Sequence, residues 1–117
     1  MLDKTFAERL ALDWIAAWNR HDLSAILAHY RDDFEMSSPY IAEVAGEPSG
    51  RLCGKPAVAA YWSEALRRLP DLRFEHLATL TGADSVIIHY RGARGLAAEV
   101  LWLDASGLVW RAAAHYQ

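Results

Sequence analysis

The stretch LALDWIAAWNRHDLSAILAHYRDDFEMSSP, residues 10–39, decides the fold of this chain. The pattern before Asp22 is that of an amphipathic helix, because apolar side chains recur at the spacing of one helix face, at Phe6, Leu10, Trp14, Ala17 and Trp18. Asp22 then suits the N-cap of a second, shorter helix over 23–29. Residues 31–33 form a polar stop, and residues 34–36 begin to alternate as a strand does. A helix this rich in tryptophan needs a broad apolar surface, which a sheet would supply.

The remainder of the chain predicts one more helix and then a sheet. Residues 40–53 lack periodicity and are longer than most connections, so we interpret them as a loop that serves as a lid or a subunit contact. A third helix begins at Lys55-Pro56 and runs to about Leu69. Short turns then separate four strands, predicted over 72–80, 85–91, 96–103 and 108–116. Helices first and strands last predict a single α+β domain over residues 1–117.

Composition excludes several classes of protein. The net charge of −3 and the scattered lysines and arginines argue against a nucleic-acid surface, which needs a basic stripe. No apolar run approaches the length of a membrane span, and the first ten residues lack the apolar core of a secretory signal. Cys53 is the single cysteine, so no internal disulfide forms, as expected of a cytoplasmic protein. No metal-ligand spacing and no phosphate-binding glycine motif occurs, so we expect neither metal nor cofactor.

Four segments carry a family resemblance: AWNRHDLSAILAHYRDDFEMSSP, GKPAVAAYW, PDLRFE and DASGLVWRAAAHY. Over roughly residues 6–116 the chain resembles the nuclear transport factor 2-like superfamily, and within it the SnoaL-like and ketosteroid-isomerase-like branch. The resemblance implies a cone-shaped roll of three N-terminal helices on a curved, mostly antiparallel sheet, the cystatin-like α+β roll. It also implies an apolar pocket inside the cone and a homodimer through the outer face of the sheet. Because this fold hosts isomerases, cyclases, dehydratases, hydrolases and non-catalytic binders, it does not by itself give the function.

The resemblance also assigns positions in the pocket. The carboxylate base of the isomerases, which precedes a proline after the first strand, falls on Ser38, and a serine without a nearby base cannot take a carbon-bound proton. The donor tyrosine of the first helix falls on Trp14. Of the two tyrosines that support that donor, one is kept as Tyr30 and the other falls on Trp62. The carboxylic acid that donates to the developing oxyanion falls on Glu99, which retains its chemical type.

Glu99 is the first candidate catalytic residue. It lies in the apolar run LAAEVLWL, residues 96–103, where desolvation would raise its pKa and leave a neutral hydrogen-bond donor at pH 7. Two structural alternatives stay open: an ion pair with Arg91 or Arg111 on a neighbouring strand, or simple exposure to solvent.

Two strand histidines need a separate interpretation. His89 alternates with Ile87 and Arg91, and the other face of that strand carries Val86, Ile88 and Tyr90; the sequence does not say which set faces the pocket. His89 is our candidate for an alternative catalytic base, since imidazole titrates near neutral pH, although a core or interface role is open. His115 has the opposite parity to a set that the family pattern places inside, so we expect it to face a dimer partner; that set is Trp110, Ala112, Ala114 and Tyr116.

The expected ligand is a small apolar or aromatic molecule, because tryptophans line pockets for flat ligands and the small side chains of the last strands leave room. The residues expected to bind it are Trp14, Trp18, Tyr30, Ser38, Trp62, Leu101, Ala112 and Tyr116. As an enzyme, the protein would carry out cofactor-free isomerisation, cyclisation or dehydration, with Glu99 as acid and His89 as base. The alternatives are a non-catalytic binding protein and an association module without a ligand cavity.

Overall fold

The computed structural model describes all residues from Met1 to Gln117. Its helices are α1 (Lys4–Asn19), α2 (Leu23–Leu27), α3 (Ile41–Ala45) and α4 (Lys55–Arg68). Its strands are β1 (Tyr30–Ser37), β2 (Arg51–Cys53), β3 (Glu75–Thr81), β4 (Ser85–Gly92), β5 (Gly95–Leu103) and β6 (Val109–Tyr116). They form one six-stranded sheet in the order β2-β1-β6-β5-β4-β3, in which only the β1–β6 pair is parallel. The predicted α+β class is confirmed.

The N-terminal helices pack on one side of this sheet through apolar faces. The Asp22 carboxylate accepts from the Ala25 N–H at 3.0 Å, which confirms the predicted cap of α2, although that helix ends at Leu27 and not at residue 29. Phe6 was expected on the buried face of α1, and this is wrong. Its side chain is 40% exposed, and the neighbouring Ala7 takes the inward position.

The polar residues 31–33 do not stop the chain before the first strand, as the sequence suggested. They lie inside β1, in an irregularity of its pairing with β6: Tyr30 is opposite Val109, and the next aligned pair is Glu35 with Arg111. The intervening side chains leave the ladder, so their polarity is compatible with a strand.

The segment 40–53 is not an unstructured loop. It contains α3, which ends at Gly46 in a left-handed conformation (φ 74°), and β2, which adds an antiparallel edge strand to β1. The structure therefore has four helices where three were expected. Both elements are too short to give a periodic signal in the sequence.

The strand predicted over residues 72–80 is β3, and it begins later than expected, at Glu75 and not at Leu72. The Asn19 side chain binds both backbone groups of Phe74: its amide donates to the carbonyl at 3.0 Å, and its oxygen accepts from the N–H at 2.6 Å. His21 contacts the same segment, since its Nε2 atom is 2.9 Å from the Leu72 carbonyl oxygen. These contacts attach residues 72–74 to the end of α1 instead of to β4.

A second irregularity changes the expected face of β6. Trp102 is opposite Arg111 and Leu103 is opposite Val109, so Trp110 is an extra residue in the ladder. Trp110 is consequently 40% exposed, and Val109 takes the buried position. Beyond the irregularity the parity is as predicted, because Ala112 and Ala114 are buried and His115 is exposed. No helix combines the length and the apolar character needed to cross a bilayer.

Candidate functional site

A cavity of about 180 Å³ lies between the helices and the inner face of the sheet. Its walls come from α1, α4, β1, β4, β5 and β6 and from the segment that precedes β3, and 15 of its 21 lining residues are hydrophobic. Its exposed lining residues lie on α3, at the end of α4 and in the β4–β5 hairpin, so the cavity opens between these elements. A mainly apolar hollow with a few polar groups is the usual form of a small-molecule site.

Aromatic rings make the walls of this cavity. Trp14 and Trp18 are one helical turn apart on α1, so both project from the same face of the helix. The Trp18 ring lies 5.3 Å from that of Trp62, and the Phe74 ring lies 4.5 Å from that of Tyr90, measured between centroids. Large rings in mutual contact give a rigid wall that favours flat ligands.

Glu99 is the polar exception inside the cavity. It is only 3% exposed, and it lines the cavity from the same face of β5 as Gly95 and Ala97. Burial raises its pKa to about 8, and neither a hydrogen bond nor a cation offsets that effect. The ion-pair alternatives do not occur, since Arg91 lies 3.5 Å from Glu75 and Arg111 stacks over Trp102. The carboxyl is therefore mostly protonated at pH 7 and able to donate a hydrogen bond.

Four phenols, three of them buried and one half-buried, lie close enough to the Glu99 carboxyl to be affected by its charge. In each, burial raises the pKa, and the charge of Glu99 raises it further; they are Tyr30, Tyr61, Tyr90 and Tyr116. Their hydroxyls are therefore neutral at physiological pH. The three phenols that line the cavity, those of Tyr61, Tyr90 and Tyr116, therefore present no negative charge to a ligand.

The structure places five of the predicted site residues around the cavity: Trp14, Trp18, Trp62, Glu99 and Tyr116. Two others lie behind its wall. The Tyr30 hydroxyl accepts a hydrogen bond from the Trp14 indole N–H at 2.9 Å. This contact fixes the Trp14 ring, but it occupies the only hydrogen-bond donor of the indole. The Ser38 hydroxyl accepts from the Tyr61 hydroxyl at 3.3 Å, so Ser38 orients a cavity residue and does not itself line the cavity.

Three predicted site residues do not reach the cavity. His89 lies on the outer face of the sheet, because it is opposite Ala98 while its neighbour Ile88 is opposite Glu99. Its assignment as a base within this pocket is therefore wrong. Leu101 and Ala112 face inward and are buried, but they pack in the core beyond the cavity.

Several lining residues were missed by the sequence interpretation. The most important are Tyr61, Tyr90, Phe74, Tyr40 and Arg94. A signal for Tyr90 was present, because the two-residue turn between Gly92 and Gly95 sets the strand register and puts Tyr90 on the face of Glu99. Arg94 lies within that turn, and nothing in its sequence context indicates that the hairpin reaches the mouth of a pocket.

Charged side chains collect at the mouth of the cavity. The Arg94 guanidinium lies 3.8 Å from the centroid of the Tyr40 ring and 3.8 Å from a carboxylate oxygen of Glu43. Arg68 is also at the mouth, and its Nε donates to Glu64 at 3.0 Å. The acid is thus inside the cavity and the cations are at its entrance.

The chemistry available in the cavity is that of an acid without a partner base. Glu99 can donate a proton or a hydrogen bond, the lining phenols are neutral, and the only other lining carboxylate, Glu43, is at the mouth. No group of three or more His, Cys, Asp or Glu side chains is arranged to hold a metal ion.

Comparison with known proteins agrees with this architecture. The sequence profile of the SnoaL-like domain matches residues 11–116. A SnoaL-like protein of unknown function from Burkholderia thailandensis is 59% identical, with a TM-score of 0.94, over 98% of this chain and 97% of that one. No curated protein matches the sequence significantly.

More distant structures share the fold. A SnoaL-like family protein from Agrobacterium tumefaciens, provisionally assigned as an isomerase, is 16% identical with a TM-score of 0.73, over 94% of this chain and 96% of that one. A second such structure is that of SalBIII, an epoxide hydrolase/cyclase-like enzyme in pyran ring formation in the polyether salinomycin. It is 14% identical with a TM-score of 0.77, over 100% of this chain and 95% of that one. The profile match covers most of the chain, so this protein belongs to the SnoaL-like domain family.

Proposed function

We propose that this protein binds a small, flat, mainly apolar molecule that carries an oxygen acceptor, and that protonated Glu99 donates a hydrogen bond to this oxygen. On a reactive carbonyl compound the same contact stabilises the oxygen as it gains negative charge, which is acid catalysis without a cofactor. The reaction class is isomerisation, cyclisation or dehydration, with water as the acceptor of any proton that leaves carbon, since neither Ser38 nor His89 supplies a base inside the cavity. The observation that carries the proposal is a carboxyl that is buried against the cavity and has no protein partner.

A pair of matched probes tests the role of Glu99. Acetophenone has a carbonyl oxygen and ethylbenzene lacks one, and both have a single ring of the size of this cavity. We expect acetophenone to lose about tenfold in affinity when Glu99→Leu removes the donor, since a hydrogen bond is worth about 1 kcal/mol. Ethylbenzene should bind the wild-type protein and the variant with similar affinity in calorimetric titrations.

The pH dependence of the same titrations gives a second measurement. Affinity for acetophenone should fall as the pH rises through about 8, where Glu99 ionises and ceases to be a donor. In Glu99→Gln, whose amide does not titrate, the affinity should be constant over that range. The proposal is wrong if acetophenone binds Glu99→Leu as tightly as it binds the wild-type protein.

A non-catalytic binding protein is the second candidate function. The observation in its favour is that neither Ser38 nor His89 supplies a base inside the cavity. Incubation of acetophenone with the protein in D₂O separates the two candidates, because enolisation replaces the methyl protons by deuterium. Exchange that depends on Glu99, followed by proton NMR, supports an enzyme. Binding without exchange above the buffer rate supports a binder.

We also propose that two copies associate through the outer face of the sheet. This face carries apolar side chains with no covering element, among them Leu80, which is 52% exposed. Ile87 and Val100 lie beside it in register. Exposed apolar patches of this kind mark association surfaces. Sedimentation equilibrium should give the mass of two chains.

A cytoplasmic location stays a prediction from the sequence.

A further inference from the structure

We infer that the ligand of this pocket is a single-ring aromatic acid: a ring with a carbonyl oxygen at its inner end and a carboxylate at its outer end, held between Glu99 and Arg94. This inference rests on the proposed function, which it narrows from flat apolar molecules to one chemical class.

The size of the cavity indicates a single ring. Its volume is about 180 Å³. A cavity of roughly 150 Å³ is known to accommodate benzene, whereas pockets for drug-sized molecules start at roughly 300 Å³. The packed rings of Trp18, Trp62 and Phe74 prevent easy widening, because each contacts other large side chains. A molecule with three or four fused rings would therefore not fit.

The mouth supplies a cation for a carboxylate. Arg94 is bound only weakly there, since its nearest carboxylate oxygen, on Glu43, is 3.8 Å away and both side chains are largely exposed. Its other contact is the face of the Tyr40 ring. A ligand carboxylate can accept two parallel hydrogen bonds from the guanidinium, which is a stronger arrangement than this distant pair.

The charge of Arg94 also acts within the cavity. Burial raises the pKa of the Tyr61 phenol, and the positive charge of Arg94 counteracts part of that rise. Tyr61 lines the wall beside Glu99. The positive charge of Arg94 can therefore attract an anion placed between Tyr61 and the mouth.

Strand β5 places the two proposed ligand contacts, Glu99 and Arg94, at opposite ends of one row of residues. Gly95, Ala97 and Glu99 line the cavity along this strand, and Arg94 immediately precedes the row. At about 3.3 Å per residue, the row from Gly95 to Glu99 is about 13 Å long. The Glu99 carboxyl is buried at the inner end of this row, and the Arg94 guanidinium is exposed at its outer end. A para-disubstituted ring has its two polar groups on one axis, as this row requires.

The experiment compares 4-acetylbenzoate with acetophenone, which differ by one carboxylate. In calorimetric titrations at low salt we expect 4-acetylbenzoate to bind the wild-type protein about tenfold more tightly. Arg94→Gln should remove this difference, whereas Glu43→Gln should enlarge it by freeing the guanidinium. Arg91→Gln, an exposed arginine that pairs with Glu75 outside the cavity, is the matched control and should change neither affinity.

Size is tested with anthraquinone-2-carboxylate, a three-ring carbonyl acid, which should bind at least tenfold more weakly than 4-acetylbenzoate. Equal or tighter binding of the three-ring acid would overturn the single-ring assignment. If acetophenone binds in a Glu99-dependent way but the carboxylate gives no advantage, or Arg94→Gln leaves the advantage intact, this inference fails and the proposed function stands. If neither small ketone binds, the proposed function fails with it.

Discussion

Glu99 is a residue at which function and stability are in conflict. A buried carboxyl without a partner is unfavourable for folding, and the free-energy cost of removing it from water is larger when the carboxyl is charged. An apolar residue would pack among Trp14, Tyr90 and Ala97 without that cost. Active sites commonly retain such unfavourable groups, and substitutions that relieve them stabilise the protein while reducing its activity.

This conflict predicts an unusual dependence of stability on pH. Folded Glu99 keeps its proton up to about pH 8, whereas the unfolded chain releases it near 4.5. The folded state thus binds more protons than the unfolded state between these pH values. The contribution of Glu99 to the free energy of unfolding is therefore fully present below pH 4.5 and is lost as the pH rises through 8. Between pH 5 and pH 9 we expect Glu99→Gln to gain about 4 kcal/mol relative to the wild-type protein in urea unfolding.

A control separates burial from the loss of a charge. Glu8→Gln removes one carboxylate from the exposed side of α1 and should shift the unfolding free energy equally at both pH values. A Glu99→Gln profile parallel to that of the wild-type protein would show that the Glu99 carboxyl is ionised and solvated in the folded state.

Strand parity explains which site assignments could be made from the sequence. Glu99 was found from its position in an apolar run and from the family resemblance, and the structure places it in the cavity. The error on His89 was avoidable, because a two-residue turn between Gly92 and Gly95 pairs Ile88 with Glu99 and so turns His89 outward. Turn length, and not the composition of β4, carried that information.

Other elements could not be predicted from periodicity. Residues 31–33 and Trp110 lie where β1 and β6 have irregular pairing, and an inserted residue changes the face of the side chains that follow it. Residues 72–74 have the alternation of a strand, yet side chains from the end of α1 bind their backbone. Such contacts join residues about fifty positions apart, and they cannot be predicted from a local sequence pattern.

The Asn19 contact predicts that the end of α1 holds part of the cavity wall. Asn19→Ala should cost about 2 kcal/mol of unfolding free energy, because two hydrogen bonds to Phe74 are lost. The Phe74 amide should exchange faster with deuterium, and affinity for acetophenone should fall, since the Phe74 ring lines the cavity.

Two further variants check this interpretation of Asn19. Asn19→Asp keeps the acceptor for the Phe74 N–H and should show a smaller loss than Asn19→Ala. Arg20→Ala, in the same turn, removes only a 3.7 Å pair between exposed side chains and should have little effect. Unchanged exchange at Phe74 in Asn19→Ala would contradict the anchoring role.

At the scale of the whole molecule, the sheet separates two surfaces. Its inner face, with the helices, encloses the cavity, and its outer face lacks a covering element. The two faces alternate along β5, where Ala97 lines the cavity and Ala98 lies opposite His89 and His115 on the outer face. Ligand binding and association should therefore respond to different residues, even adjacent ones.

Adjacent substitutions on β5 test this separation. Ala97→Leu should fill part of the cavity, raise the unfolding free energy by about 1 kcal/mol and abolish acetophenone binding, while sedimentation still reports two chains. Ala98→Glu should place a charge in the proposed contact between copies and give a single-chain mass, while acetophenone affinity is unchanged.

If Ala98→Glu abolishes acetophenone binding as well, the cavity depends on the second copy. A two-chain mass for Ala98→Glu would instead place the contact between copies elsewhere on the molecule. The residues are neighbours in sequence, so a general effect on the fold of β5 would alter both measurements in both variants.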